Sequence, residues 1–214
     1  MTSKTESLRA YTRLAPVIPV VTIDDARMSI DLAQTLVQAG LPVVEVTLRT
    51  PEALDAIAAI AKAVPEAVVA AGTVLTASQV NEVIDAGAKL IVTPGTPPKL
   101  AEHLADASIP VMPGCATVSE AMALAGLGFE FLKFFPAAAS GGAAWLKAVQ
   151  GPLPKLSFCP TGGIDLASAP TYLGLGNVPC VGGTWVTPAD VLRKGDFKRI
   201  GQLAAAAAAL RRTT

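Results

Sequence analysis

The sequence predicts an α/β fold, a (β/α)₈ TIM barrel with a short extra helix at its N-terminus. Two regularities point to it, and one absence weighs against the main rival. Short apolar runs recur along the chain, and the markers Val17, Val43, Val68, Leu90, Val111, Phe131, Leu156 and Cys180 stand about 20 to 26 residues apart. Patterns with apolar residues three and four apart fill the intervals, as helices between parallel strands require. No Gly-x-Gly-x-x-Gly turn follows the first run, which weighs against an open doubly wound sheet.

Residues 2–13 read as an amphipathic helix within an N-terminal segment, 1–15, outside the repeat. The candidate strands are 17–21, 43–46, 67–70, 89–92, 109–112, 129–135, 155–158 and 178–181. A helix over 24–39 carries Ile30, Ala33, Leu36 and Val37 on one face and stops at Gly40. The next, 51–64, opens with Pro51, whose fixed φ suits a first helical turn. Thr76 supplies an N-cap before Val80, Val83 and Ile84, and Gly87 closes that helix. Patterns over 97–107, 117–125, 142–149, 166–173 and 188–210 complete the alternation. No linker or shift of composition interrupts it, so residues 1–214 read as one domain.

Composition narrows the function. Hydrophobic residues make up 51% of the chain and charged residues 16%, enough for a well-filled interior. Seventeen basic and seventeen acidic residues cancel, so nothing draws the surface as a whole to nucleic acid or anionic membrane, and an anion must be caught locally. No apolar run reaches the length of a membrane span, and the polar opening residues lack the core of a signal peptide; the expected setting is the cytoplasm. Cys115, Cys159 and Cys180 are too widely spaced for a metal motif or a disulfide framework. His103, the single histidine, sits in a helical pattern and excludes a metal centre built from several imidazoles.

A barrel puts chemistry at the C-terminal ends of its strands, and several of these ends carry reactive or permissive residues. Lys133 lies inside the run Phe131-Leu132-Lys133-Phe134-Phe135-Pro136, where apolar surroundings disfavour the ammonium and favour a neutral, nucleophilic amine able to form a Schiff base. The alternative is a strand-end lysine that reaches solvent with its stem buried. Alternation places Glu45, Thr47 and Arg49 on one strand face, so Glu45 and Arg49 point into the mouth. They form either a structural ion pair or a proton-transfer carboxylate beside a carboxylate-binding guanidinium. Gly72 and Thr73 offer close backbone approach and a hydroxyl, or an ordinary turn, while 94–95 and 113–114 are Pro-Gly turns. Gly162-Gly163 and Gly182-Gly183 follow the last two strands, each before a helix; backbone N–H groups and helix N-termini there suit a phosphate.

Taken in order, Glu45-Val-Thr-Leu-Arg49-Thr, Ala71-Gly72-Thr73-Val-Leu, the Lys133 run, Pro160-Thr161-Gly162-Gly163-Ile164 and Gly182-Gly183-Thr184-Trp185 resemble the family of 2-keto-3-deoxy-6-phosphogluconate (KDPG) and 4-hydroxy-2-oxoglutarate (KHG) aldolases. The resemblance runs from Pro16 to about Asp196. It implies a class I aldolase of the Entner–Doudoroff pathway that needs no cofactor or metal and works as a homotrimer on a small-molecule substrate. Lys133 would form the Schiff base and Glu45 would act as acid and base. Arg49, Thr73, Pro94, Phe135 and Thr161 would hold the pyruvyl part, and Gly162, Gly163, Gly183 and Thr184 the phosphate. Thr184 stands where the family more often has serine, and Ala137-Ala138-Ala139 where an acidic residue is common. The products would be pyruvate and glyceraldehyde 3-phosphate. The rivals are the same reaction on KHG or on 2-keto-3-deoxy-6-phosphogalactonate, a phosphosugar isomerase, and a non-catalytic barrel that binds a phosphometabolite.

Overall fold

Each apolar run has two faces, and the fold is the arrangement that buries both. The computed structural model describes residues 3–210. The strands are β1 (Val17–Val21), β2 (Val43–Thr47), β3 (Val68–Gly72), β4 (Leu90–Val92), β5 (Val111–Met112), β6 (Gly114–Cys115), β7 (Phe131–Phe134), β8 (Ser157–Pro160) and β9 (Val181–Gly183). The helices are α1 (Ser3–Leu14), α2 (Ser29–Gln38), α3 (Ala53–Ala63), α4 (Ala77–Asp85), α5 (Pro98–Ala105), α6 (Val118–Gly126), α7 (Gly142–Val149), α8 (Ala169–Leu173), α9 (Ala189–Arg193) and α10 (Phe197–Ala208). The expected N-terminal helix is α1; Thr2 and residues 211–214 lie outside the described residues.

The strands pair in parallel as a six-stranded sheet, β5-β4-β3-β2-β1-β9, and a three-stranded sheet, β6-β7-β8. A single bridge between Thr161 and Gly182 connects the end of β8 with β9. Alternate residues then segregate. Val44, Val46, Val69, Ala71, Ile91, Leu132 and Phe134 join the helices in the larger apolar cluster. Ile18, Val43, Ala70, Leu90, Met112, Phe131, Cys159 and Cys180 form a second cluster on the opposite face, joined by Leu8 of α1. Lys4 Nζ secures α1 by donating to the carbonyls of Ala105 (3.2 Å) and Ala107 (2.8 Å), near the end of α5. Arg9 adds a 3.1 Å ion pair with Glu130 and lies 5.4 Å from the centre of the Phe131 ring.

The structure corrects several sequence boundaries. The fifth run is not followed by a simple Pro-Gly turn: the chain leaves the six-stranded sheet at Met112 and joins the smaller sheet at Gly114. Pro113 has no N–H to continue the first ladder, and its carbonyl instead accepts from the Lys133 amide at 2.9 Å. Strands β8 and β9 begin two and three residues later than expected. The pattern over 24–39 divides into a 3₁₀ turn, Ala26–Met28, which Asp25 opens by capping the Arg27 amide, and α2. The 188–210 pattern divides into α9 and α10. Gly195 takes φ +65°, which ends one helix, and Asp196 caps the Arg199 amide to start the next.

Candidate active site

Lys133 follows Phe131 by two on β7 and therefore turns to the same inward face. Glu45 stands between Val43 and Thr47 on β2 and does the same. Their side chains meet: Lys133 Nζ donates to Glu45 Oε1 at 2.8 Å, and each side chain is only 5% exposed. The Phe135 ring lies 5.6 Å from Nζ. The reactive lysine thus has a carboxylate partner as well as an aromatic neighbour, and the snorkelling alternative is not realised. The Glu45–Arg49 pair is not formed either. β2 ends at Thr47, so strand alternation does not extend to Arg49, which occupies the following turn with an exposed side chain.

The remaining predicted residues gather at the same ends of the strands. Thr73 follows β3 half-buried, with φ +61°, a conformation that β-branched residues seldom adopt. Pro94 is half-buried beyond β4. Phe135 is half-buried beyond β7. Thr161 is buried at the end of β8. Gly162 and Gly163 continue that chain at φ +98° and +71°, a left-handed course that glycine follows without a Cβ clash. Neither of their amides donates to a backbone carbonyl among the described residues. Gly183 ends β9, and Thr184 beside it is exposed. The expected helix N-termini are absent from these loops: α8 starts at Ala169 and α9 at Ala189, after intervening turns.

The sequence reading missed a set of threonines that fix the strand ends. Thr93 is fully buried; its Oγ1 accepts from the Gly114 amide at 2.8 Å, and Thr96 Oγ1 donates to the Gly114 carbonyl at 2.9 Å. Each hydroxyl has one proton, so the 2.8 Å contact between them must run from Thr93 to Thr96. Side chains thus bridge the place where the chain changes sheets. On β2, Thr47 Oγ1 donates to the Val21 carbonyl at 3.0 Å and contacts Thr22 Oγ1 at 3.1 Å. The available signal was a threonine at each end of the Thr-Pro-Gly-Thr turn.

Other reactive types lie apart from this site or are shielded. His103 is exposed on α5. Cys115, Cys159 and Cys180 are buried thiols, and burial, with some help from the Glu120 charge, pushes Cys115 up to about 12. Among the described residues no group of three or more His, Cys, Asp or Glu could hold a metal ion, and no helix is long and apolar enough to cross a membrane.

With this geometry in place, comparison with known proteins is direct. The family model "Aldolase: KDPG and KHG aldolase" matches residues 8–203. The KHG/KDPG aldolase of Escherichia coli K12 is 48% identical over 189 residues, covering 88% of this chain and 89% of that protein. A KDPG aldolase structure from Legionella pneumophila, with pyruvate captured as a covalent carbinolamine intermediate, superposes with a TM-score of 0.91 at 40% identity over 94% of this chain and 97% of its own. A KDPG aldolase structure from Zymomonas mobilis ZM4 with 3-phosphoglycerate gives 0.92 at 42% identity, covering 97% and 98%. The chain belongs to the KDPG and KHG aldolase family.

Proposed function

We propose that this protein is a class I aldolase that cleaves KDPG to pyruvate and glyceraldehyde 3-phosphate, the carbon–carbon lyase step of the Entner–Doudoroff pathway, without a metal or other cofactor. The observation that carries the reading is the buried 2.8 Å contact between Lys133 Nζ and Glu45 Oε1 in a chain of this family. A proton shared between these groups can pass to Glu45 and leave a neutral amine. The amine attacks C2 of the substrate to give a carbinolamine, and loss of water gives the protonated imine. As Glu45, through a water molecule, takes the C4 hydroxyl proton, the C3–C4 bond breaks. Its electron pair passes into the enamine, and C4 leaves as the aldehyde of glyceraldehyde 3-phosphate. Protonation of C3 and hydrolysis of the imine then release pyruvate and restore Lys133.

Arg49, Thr73, Pro94, Phe135 and Thr161 hold the pyruvyl part in this reading. The amides of Gly162 and Gly163, with Gly183 and Thr184, hold the phosphate; with the helix starts displaced, backbone donors supply the attraction. The two sheets act as one (β/α)₈ barrel, a single domain over 1–214 with 1–15 outside the repeat. The Thr161–Gly182 bridge and an inner apolar cluster drawn from both sheets support this. We place the enzyme in the cytoplasm as a homotrimer; Val118 and Met122 on α6, 37% and 57% exposed, offer apolar surface for a subunit contact.

Borohydride reduction with pyruvate, followed by intact-mass measurement and peptide mapping, tests the reading. A reduced pyruvyl adduct on Lys133, absent from Lys133→Ala, is expected. An unmodified protein under conditions that trap a known imine enzyme would favour the phosphometabolite-binding barrel. A second substrate, KHG, is favoured by the double name of the E. coli relative, and the ratio of kcat/KM values on KDPG and KHG decides between them.

A further inference from the structure

Gly72 has no backbone reason to be glycine. Its φ lies outside the left-handed region, so other residues could take its conformation. It ends β3 in register with Thr47, while Glu45 pairs with Ala70 two residues earlier. Ala70 and Gly72 therefore share the inward face, and the Glu45 side chain runs forward along the sheet to lie across the bare Gly72 backbone. A Cβ at Gly72 would stand 2.7 Å from Glu45 Cγ and 2.8 Å from Cδ, and closer still to Oε1. The three heavy atoms nearest to that added carbon all belong to Glu45. The carboxylate can move aside only at the expense of its 2.8 Å contact with Lys133.

We propose that Gly72 is a positioning residue for proton transfer: its missing side chain is the seat that aims the Glu45 carboxylate at Lys133. The chain turns away at once, at Thr73 with φ +61°, so Gly72 is the last residue of β3 that can lie flat beneath the carboxylate. The kinetic consequence rests on the aldolase reading; the steric consequence rests on geometry alone. Displacing the carboxylate by about 1 Å is expected to slow proton transfer about 100-fold while leaving the amine able to form an imine.

The test is a cycle of Gly72→Ala, Glu45→Ala and the double variant, each measured in three ways: borohydride trapping of pyruvate at saturation, exchange of the pyruvate methyl protons with D₂O, and thermal midpoint. Gly72→Ala should still trap pyruvate on Lys133, yet exchange its methyl protons about 100-fold more slowly than the parent. With the carboxylate gone, adding Gly72→Ala should change neither exchange nor midpoint. Recovery of folding in the double variant, should Gly72→Ala alone fail to fold, would support the same seat. Exchange in Gly72→Ala within about threefold of the parent, an equal loss of midpoint in both backgrounds, or failure of the double variant to fold where Glu45→Ala alone folds would overturn the proposal. Absence of any pyruvate adduct in the parent would instead overturn the aldolase reading, and the midpoint cycle would still decide the seat.

Discussion

Replacing Glu45 with glutamine should destabilise the protein far more than losing one surface charge. The substitution keeps the shape and one acceptor oxygen but leaves the Lys133 ammonium, on a side chain 5% exposed, without a countercharge. At 2.8 Å the direct attraction is about 6 kcal/mol for an effective dielectric of about 20, most of which offsets the cost of taking both charges out of water. Removing one partner keeps the desolvation cost and loses the attraction, so the expected loss is about 3 kcal/mol, at the lower end of broken buried pairs because the amide oxygen still accepts. Urea unfolding at neutral pH measures it. Trp145 offers a convenient fluorescence signal, since its ring stacks on Phe134 with centroids 4.3 Å apart. The double variant Glu45→Leu, Lys133→Met removes both charges and should recover the loss or exceed the parent in stability. A loss below about 1 kcal/mol in Glu45→Gln, or a double variant as unstable as the single, would refute this account of the buried pair.

Thr73→Gly removes the strain of a branched residue at φ +61°, worth about 1–3 kcal/mol, at a smaller cost in chain entropy; the thermal midpoint should rise by about 2–4 °C while kcat/KM falls. Gly163→Ala forces a left-handed alanine whose Cβ would lie 2.6 Å from that of Ala138, so KM for the phosphorylated substrate should rise by about tenfold or more while pyruvate trapping on Lys133 persists. Cys115 should resist thiol reagents at pH 8 until urea unfolds the chain. Its thiol is raised from 9.0 to about 12, so the fold favours the protonated form; this stability is complete below pH 9 and is lost as pH rises toward 12, which urea midpoints at pH 8 and 10.5 will register.

The sequence revealed the parts of the site that depend on strand alternation. A charge among Phe131, Leu132, Phe134 and Phe135 marks Lys133 as unusual, and period two turns Glu45 inward. The same rule does not reach Arg49, because alternation holds only while a strand lasts and β2 ends at Thr47. At the change of sheet near Pro113 the hydroxyls of Thr93 and Thr96 act where backbone partners would; the two threonines were visible around the Pro-Gly turn, but their contact with distant Gly114 was not. The split of α9 from α10 was written in Lys194-Gly195-Asp196, a stop followed by a cap, but helical periodicity on both sides masked it. Gly162-Gly163 was visible as a loop, whereas Gly182-Gly183, expected to follow the last strand, lies within β9 and pairs with β1. Where the helices after them would begin was not visible, since several turn conformations fit the same residues.

The place of β1 in the sheet, between β2 and β9, sets a schedule for the newborn chain. Strands β2, β3 and β4 can pair successively as the ribosome releases them, but the opposite edge of β1 waits for Val181–Gly183. At ordinary synthesis rates of about 5–20 residues per second, this leaves roughly 8–30 s during which the row Val17–Val21 lacks its final neighbour. An apolar edge left open for that time is an invitation to pair with another nascent chain. Pro19, at the centre of the row, withholds one amide from any such intruder and still takes its place opposite Gly183 when the last strand arrives.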